Sequence, residues 1–225
     1  MKKIIITILM LTMPLTAAKA IEGVNIGLSL MGGAFEANGA KETFTGGHAG
    51  AESSSTTTTN TANDNAEGSF ALASIFIEKE IGDRFAIGFD YVPHSAETET
   101  TENVQISGGS NVTNTVQVDF EDLMTLYATF SLTDNIYAKA GYSEIEAVTN
   151  ENLGTGGSYG NATLEGYVVG LGYNKDLNEG TFFRVEANYM DFDGVTLTNT
   201  ADSTKSVSAD GFDGYGARIS VGKSF

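Results

Sequence analysis

Apolar and polar side chains alternate through much of this chain, and few folds are compatible with that pattern. In residues 123–133 one face carries Met124, Leu126, Ala128, Phe130 and Leu132, and the other carries Thr125, Tyr127, Thr129 and Ser131. Residues 84–91 and 183–189 repeat the alternation. Successive side chains of a β-strand point to opposite faces, so a period of two predicts strands whose faces meet different surroundings. Helical spacing is scarce, and we predict an all-β fold.

The connections between the predicted strands are alternately long and short. We predict eight strands, near residues 23–37, 67–81, 84–98, 118–133, 135–150, 161–177, 181–195 and 211–225. The short connections contain Gly82-Asp83, Asp134-Asn135 and Asn178-Glu179-Gly180, residue types that tolerate the positive φ angles of tight hairpin turns. The long connections are 38–66, 99–117, 151–160 and 196–210. This order predicts a closed, antiparallel, eight-stranded up-and-down barrel. Its short turns would all lie at one end and its long connections at the other, which is typical of outer-membrane barrels.

Charged residues in the middle of the predicted strands indicate which face points inward. They lie mostly opposite the aromatic face, at Asp90, Lys139, Arg184, Glu186, Arg218 and Glu78. A soluble lipocalin-like barrel or sandwich would hold such charges in water and fill its core with the aromatic face. A transmembrane barrel would place the aromatic face against lipid, and the first five charges would then form a charge network in the lumen. Both faces of residues 70–77 are apolar, so their orientation is left open.

The first twenty residues have the organisation of a cleaved signal peptide. Lys2 and Lys3 precede an apolar run at residues 4–11, and Ala18-Lys19-Ala20 supplies small residues before a predicted cleavage site after Ala20. The run is too short for a membrane-spanning helix. We therefore expect a signal peptide over residues 1–20 and a barrel domain over residues 21–225.

The final strand and three internal segments resemble a known family. The chain ends in Phe225, with Val221 and Tyr215 on the same face. The internal segments are IYAKAGYS, GYVVGLGY and FFRVEANY, and the end reads GYGARISVGKSF. Together with the strand order, these resemble the small eight-stranded outer-membrane barrels of the opacity-protein and OmpA-barrel type. That resemblance implies a Gram-negative outer membrane, contact with its lipid and lipopolysaccharide, and assembly by periplasmic chaperones and the barrel-assembly machinery, which would read the terminal strand.

Composition excludes several classes of partner and chemistry. The chain has no cysteine, which excludes disulfides, thiolate metal sites and a cysteine nucleophile. The net charge is −17, and such an acidic protein would repel nucleic acid. Loss of residues 1–20 would remove Lys2, Lys3 and Lys19 and no acid, leaving 9 basic and 29 acidic residues and a net charge of −20.

The long connections are polar and predict solvated external loops. One contains a run of Ser and Thr at residues 53–59, and another begins with the acidic stretch 97–102. A more specific interpretation is that the tips of these loops mediate adhesion or are recognised by a receptor. Aspartates at the outer ends of the last two strands also form a candidate cation cluster, although neither segment is a complete calcium loop: Asp191, Asp193, Asp210 and Asp213.

Only two histidines are available for acid–base catalysis. His94 is followed by Ser95 and lies near Glu97, but adjacent strand side chains point to opposite faces, so His94 is badly placed to activate Ser95. His48 lies in the first long loop. We therefore expect no enzyme activity and no cofactor.

Two functions from different classes remain. The first is a non-enzymatic structural or surface-interaction barrel that acts through its external loops. The second is a narrow channel for small solutes or ions. An eight-stranded lumen can be filled by side chains, and pairing among the lumen charges would close it.

Overall fold

A computed structural model describes residues 22–44, 66–107 and 110–225. The predicted signal peptide, His48 and the run at 53–59 lie outside the described residues. The strands, in chain order, are β1 (Val24–Asn38), β2 (Lys41–Phe44), β3 (Ala66–Ile81), β4 (Phe85–Tyr91), β5 (Ala96–Glu97), β6 (Thr101–Ser107), β7 (Ser110–Ser131), β8 (Ile136–Leu153), β9 (Ala162–Asp176), β10 (Thr181–Thr198) and β11 (Lys205–Ser224). Among the described residues, no helix is long and apolar enough to cross a bilayer.

Eight of these strands form a closed antiparallel wall, which confirms the predicted fold. The wall runs in the order β1-β3-β4-β7-β8-β9-β10-β11. It closes because β1 pairs with β3 on one side and with β11 on the other. Where β1 meets β11, the N–H of Phe225 donates to the carbonyl of Val24 at 2.9 Å. The first and last strands of the wall are therefore joined at the end of the barrel that carries the short turns.

The short connections lie where the turn residues predicted them. Gly82, Glu179 and Gly180 all have positive φ angles, of 65°, 59° and 74°. Positive φ is easy for glycine and uncommon for other residues, which is why these two connections contain glycine. In the third connection Asp134 and Asn135 do not have positive φ angles, contrary to the prediction. The three turns therefore define one end of the barrel, which corresponds to the periplasmic end in outer-membrane barrels.

The external connections contain much more strand than predicted. Residues 101–107 pair with 110–116 as a hairpin of β6 and β7, and β10 continues beside β11 as far as Thr198 opposite Ser206. The predicted loops 99–117 and 196–210 are therefore largely β-hairpins. Their Thr and Val residues, with Ser between them, are compatible with strands. A pair of strands that is already hydrogen-bonded in the wall can also be extended without a separate initiation step. β2 adds a further short strand to the outer part of β11.

Exposure of the two faces distinguishes the membrane barrel from the soluble alternatives. Leu30 and Leu126 on the outer face are 68% and 60% exposed, whereas Glu78 and Asp90 on the inner face are each 1% exposed. A soluble barrel has the opposite arrangement. The open question about residues 70–77 is also answered, because Ser74 and Phe76 are buried inside while Ile75 is exposed outside.

Candidate functional site

The barrel interior is divided into two layers of different chemistry. Towards the short turns lies an ionic layer of six charged side chains, Glu78, Asp90, Lys139, Arg184, Glu186 and Arg218. Towards the long hairpins lies an apolar layer of packed side chains, Met31, Val92, Leu123, Leu164, Val168, Met190 and Phe192. The alternation of the strands aims all of these residues inward, and their height along each strand decides the layer.

Three ion pairs cross the lumen in the ionic layer. Arg218 Nη1 lies 2.6 Å from Asp90 Oδ2, and Arg184 Nη1 lies 2.7 Å from Glu78 Oε1. Lys139 Nζ lies 3.2 Å from Glu186 Oε1. Each pair joins strands that are not neighbours in the wall, namely β4 with β11, β3 with β10, and β8 with β10. The pairs therefore bridge the interior instead of lying along one face of the sheet.

Each carboxylate of the ionic layer also accepts a hydrogen bond from a neutral side chain. Tyr137 donates to Glu186 at 2.8 Å, and Ser74 donates to Asp90 at 2.9 Å. Glu78 accepts from Tyr127 at 3.1 Å and from Asn25 at 3.4 Å. Buried charges are tolerated only when such partners replace the lost hydration. Each ion pair is therefore the centre of its own hydrogen-bonded cluster, and Arg218 Nε is a buried nitrogen without a hydrogen-bond partner among the described residues.

Two tyrosine rings fill the space around these charges. Lys139 Nζ lies 4.3 Å from the centroid of the Tyr127 ring, which places a cation over an aromatic face. Tyr137 packs against Gly172, where an added Cβ would lie 2.2 Å from the ring. Glycine on the neighbouring strand thus makes room for the tyrosine, and side chains occupy the cross-section at this level.

A polar cavity lies below the ionic layer, at the end with the short turns. It encloses about 430 Å³, and its lining includes Asn25, Asp83, Arg84, Thr129 and Arg184. Arg184 thus faces this cavity while it also pairs with Glu78. The ionic layer separates the cavity from the apolar layer above it.

The architecture and two-faced wall can now be compared with known proteins. A family profile described as the outer membrane protein β-barrel domain matches residues 8–225. The chain belongs to this family. No curated protein sequence matches this outer-membrane barrel at a significant level.

Several solved outer-membrane proteins are similar to this barrel in structure. Neisserial surface protein A is 12% identical, with 91% of this chain and 98% of that chain covered and a TM-score of 0.44. OprG from Pseudomonas aeruginosa is 12% identical, with 89% and 96% covered and a TM-score of 0.45. AlkL, studied in lipid bilayers, is 11% identical, with 95% of each chain covered and a TM-score of 0.49.

The structure brings all five residues of the predicted lumen network into the ionic layer of the outer-membrane barrel. The partner of Arg184, however, is Glu78, a mid-strand charge outside the predicted set. Tyr127 and Tyr137 were also missed, although each shares the inward parity of a polar residue in its own strand, Thr125 and Lys139. The contribution of this network to stability stays a prediction.

The predicted cation cluster is not assembled as one site. Asp191 and Asp213 lie opposite each other on β10 and β11. Asp191 accepts a hydrogen bond from Tyr167, and Asp213 accepts from Tyr189 and Asn38. Asp210 belongs to a different contact, in which its Oδ1 lies 4.0 Å from Lys41 Nζ. Within residues 22–44, 66–107 and 110–225, no group of three or more acidic or histidine side chains, including Asp193, is arranged to hold a metal ion.

His94 makes a structural contact with the neighbouring strand. The backbone N–H of Ala73 donates to His94 Nε2 at 2.8 Å, and His94 Nδ1 lies 3.1 Å from the carbonyl oxygen of Ser95. Both ring nitrogens therefore face backbone groups. The absence of enzyme activity stays a prediction.

The residues of the predicted assembly signal lie on the outer face of the last strand. Tyr215, Val221 and Phe225 are all exposed there. Phe225 also lies where β1 meets β11, since its carbonyl accepts from the N–H of Gly23 at 2.7 Å. Recognition of this strand by the assembly machinery stays a prediction.

Proposed function

We propose that this protein is a non-enzymatic outer-membrane barrel with a closed lumen that acts through its external hairpins. The observation that carries the proposal is the ionic layer, in which Arg218–Asp90, Arg184–Glu78 and Lys139–Glu186 bridge non-adjacent strands. Tyrosine rings fill the remaining space at the same level. A lumen closed in this way leaves the outer surface as the part of the molecule that meets other molecules.

Contacts between the external connections support a surface role. The N–H of Ser158 donates to Thr200 Oγ1 at 2.9 Å, and Asn199 Nδ2 donates to the carbonyl of Gly156 at 3.3 Å. The connection between β8 and β9 is thereby held against the tip of the β10–β11 hairpin. An ordered external surface can bind a partner with less loss of conformational entropy than a mobile one.

A narrow channel is the second candidate, and the polar cavity favours it. This cavity reaches Arg184 from the end with the short turns, so the ionic layer and the apolar layer are the barriers above it. A channel would require the pairs of the ionic layer to part. The two candidates therefore differ in what the intact ionic layer does to ion flow.

Planar-bilayer conductance of the purified protein tests the closed lumen. We expect the wild type to give no reproducible current steps. The double variant Glu78→Ala/Arg184→Ala removes one bridge without leaving an unpaired charge, and we expect it to give steps. The matched control is Lys41→Ala/Asp210→Ala, which removes an exposed ion pair outside the lumen and should stay silent. Stable steps from the wild type would refute the closed lumen and favour the channel.

A further inference from the structure

The apolar layer lines a partly open cavity that the proposed function does not use. The cavity has a volume of about 100 Å³, and its lining includes Leu72, Val92, Leu123, Leu164, Met190 and Phe192. These side chains come from five different strands or their ends, so the inner part of the cavity lies in the lumen. The lumen of an outer-membrane barrel is normally polar, which makes an apolar cavity in this position a feature that needs a reason.

Three polar residues that line the cavity already have protein partners, and the other two, Ser69 and Glu97, are exposed at its rim. His94 Nε2 accepts from the N–H of Ala73, and Thr98 Oγ1 accepts from the N–H of Val118. Asp213 accepts hydrogen bonds from two side chains. A buried water needs two to four polar partners, and apolar cavities stay dry. The chemistry of the cavity therefore suits an uncharged, apolar occupant.

The barrel wall is interrupted beside this cavity. The ladder between β3 and β4 ends at Ile75 opposite Tyr91. Two residues later comes Pro93, which has no N–H to donate. β5 then pairs with β7, so residues 66–74 of β3 have no described strand on this side, and His94 bridges to Ala73 across the gap. This gap lies beside the cavity, because Leu72 of β3 and His94 both line the cavity.

The ionic layer forms the floor of the cavity. Asp90 lies on β4, one inward position before Val92, which directly follows the strand. Arg218 binds Asp90 at 2.6 Å, and Ser74 donates to it at 2.9 Å. An apolar molecule that reached this level would have to separate buried charges from their partners, which is strongly unfavourable. The cavity is therefore closed at its lower end.

We propose that this cavity is a binding site for one small uncharged apolar molecule, such as a single aromatic ring or a short alkyl chain. The molecule enters through the gap between β3 and the β4–β5 edge and does not continue through the lumen. An engineered apolar cavity of about 150 Å³ binds benzene, so a cavity of about 100 Å³ needs only a small adjustment to hold one ring. The proposal goes beyond the surface role and does not depend on it.

Benzene titration of the protein in lipid nanodiscs, with ¹³C-methyl-labelled methionine, tests the proposal. Met190 lines the cavity, whereas Met124 lies on the outer face opposite Tyr91 and reports on benzene dissolved in lipid. Each signal is assigned by a single Met→Leu substitution. We expect the Met190 methyl signal to shift and saturate, and the Met124 signal to show no saturable shift. Equal, non-saturating shifts of both signals would overturn the proposal.

A variant whose side chain fills the cavity provides a second test of the proposal. Leu72→Trp places a large side chain in the cavity, and we expect it to weaken benzene binding at least tenfold. The control Leu171→Trp makes the same change on the lipid-facing side of β9 and should leave the titration unchanged. Folding of both is checked by the heat-dependent gel shift, and Leu164→Phe replaces Leu72→Trp if the latter does not fold. Unchanged binding in a folded cavity-filling variant would also overturn the proposal.

Discussion

Glu186 illustrates how one buried side chain is held in this lumen. It is 6% exposed, and it accepts hydrogen bonds from Lys139 at 3.2 Å and from Tyr137 at 2.8 Å. It also lies opposite Arg218 on the adjacent strand. The side chain is thus surrounded by donors and cations, and its removal would leave the buried ammonium of Lys139 without a carboxylate partner.

Glu186→Ala is therefore expected to destabilise the barrel more than apolar replacement of both Glu186 and Lys139 does. Breaking a buried pair typically costs about 3–5 kcal/mol, whereas an apolar replacement of both members is often close to neutral. We expect a loss in this range for Glu186→Ala and a smaller loss for Glu186→Leu/Lys139→Met. Urea unfolding in detergent micelles measures both. Single and double variants with the same stability as the wild type would show that the pair contributes nothing to the fold.

At the scale of elements, the external hairpins are held by a few polar side chains. Asn199 is buried in the tip of the β10–β11 hairpin, where its Oδ1 accepts from the N–H groups of Ala201 and Asp202 at 2.9 and 3.0 Å. The same side chain reaches Gly156 in the neighbouring connection. Nearby, hydrogen bonds from the hydroxyl and the N–H of Thr204 hold the pKa of Asp202 below its usual value. These bonds shape the tip without help from a hydrophobic core.

Loss of the Asn199 side chain should loosen the tip and leave the wall intact. Asn199→Ala removes three hydrogen bonds, so we expect faster hydrogen exchange in residues 156–160 and 199–204 and unchanged exchange in the wall strands. The control is Asn111→Ala, an exposed asparagine near the tip of the other hairpin. Exchange mass spectrometry resolves these segments. Equal exchange in the two variants would contradict the bridging role of Asn199.

At the scale of the whole molecule, we expect the wall to fold without the first long connection. β2 ends at Phe44 and β3 begins at Ala66, so the described wall does not include residues 50–64. The closed hydrogen-bonded wall is the part that the bilayer requires, because unpaired backbone groups are very unfavourable in lipid. Folding should therefore tolerate changes in this connection.

Deletion of residues 50–64 is expected to leave membrane insertion unchanged. Shortening a surface connection changes the entropy of loop closure only slightly. The measurement is the heat-dependent gel shift of protein recovered from the outer membrane. Loss of the folded band would mean that the deleted segment belongs to a strand, and the count of eight wall strands would have to be revised.

The local sequence alone determined the strands, the tight turns and the inward parity of Arg184, Glu186 and Arg218. These are properties of neighbouring residues: a period of two, and glycine where φ is positive. Strand ends in the external hairpins were not predictable in the same way, because Thr- and Ser-rich segments suit both strand and coil. Their pairing depends on the partner strand that the wall brings alongside.

Only the tertiary structure decided which charges meet and where the lumen changes character. Arg184 and Glu78 are 106 residues apart in the chain, and Arg218 and Asp90 are 128 apart. Their contact depends on barrel closure and on the register of every intervening strand. The same register sets the height of each inward side chain, and so it collects the charges in one layer and Met190 and Phe192 in another. Parity along one strand contains no information about height in the barrel, which is why the apolar layer was not predicted.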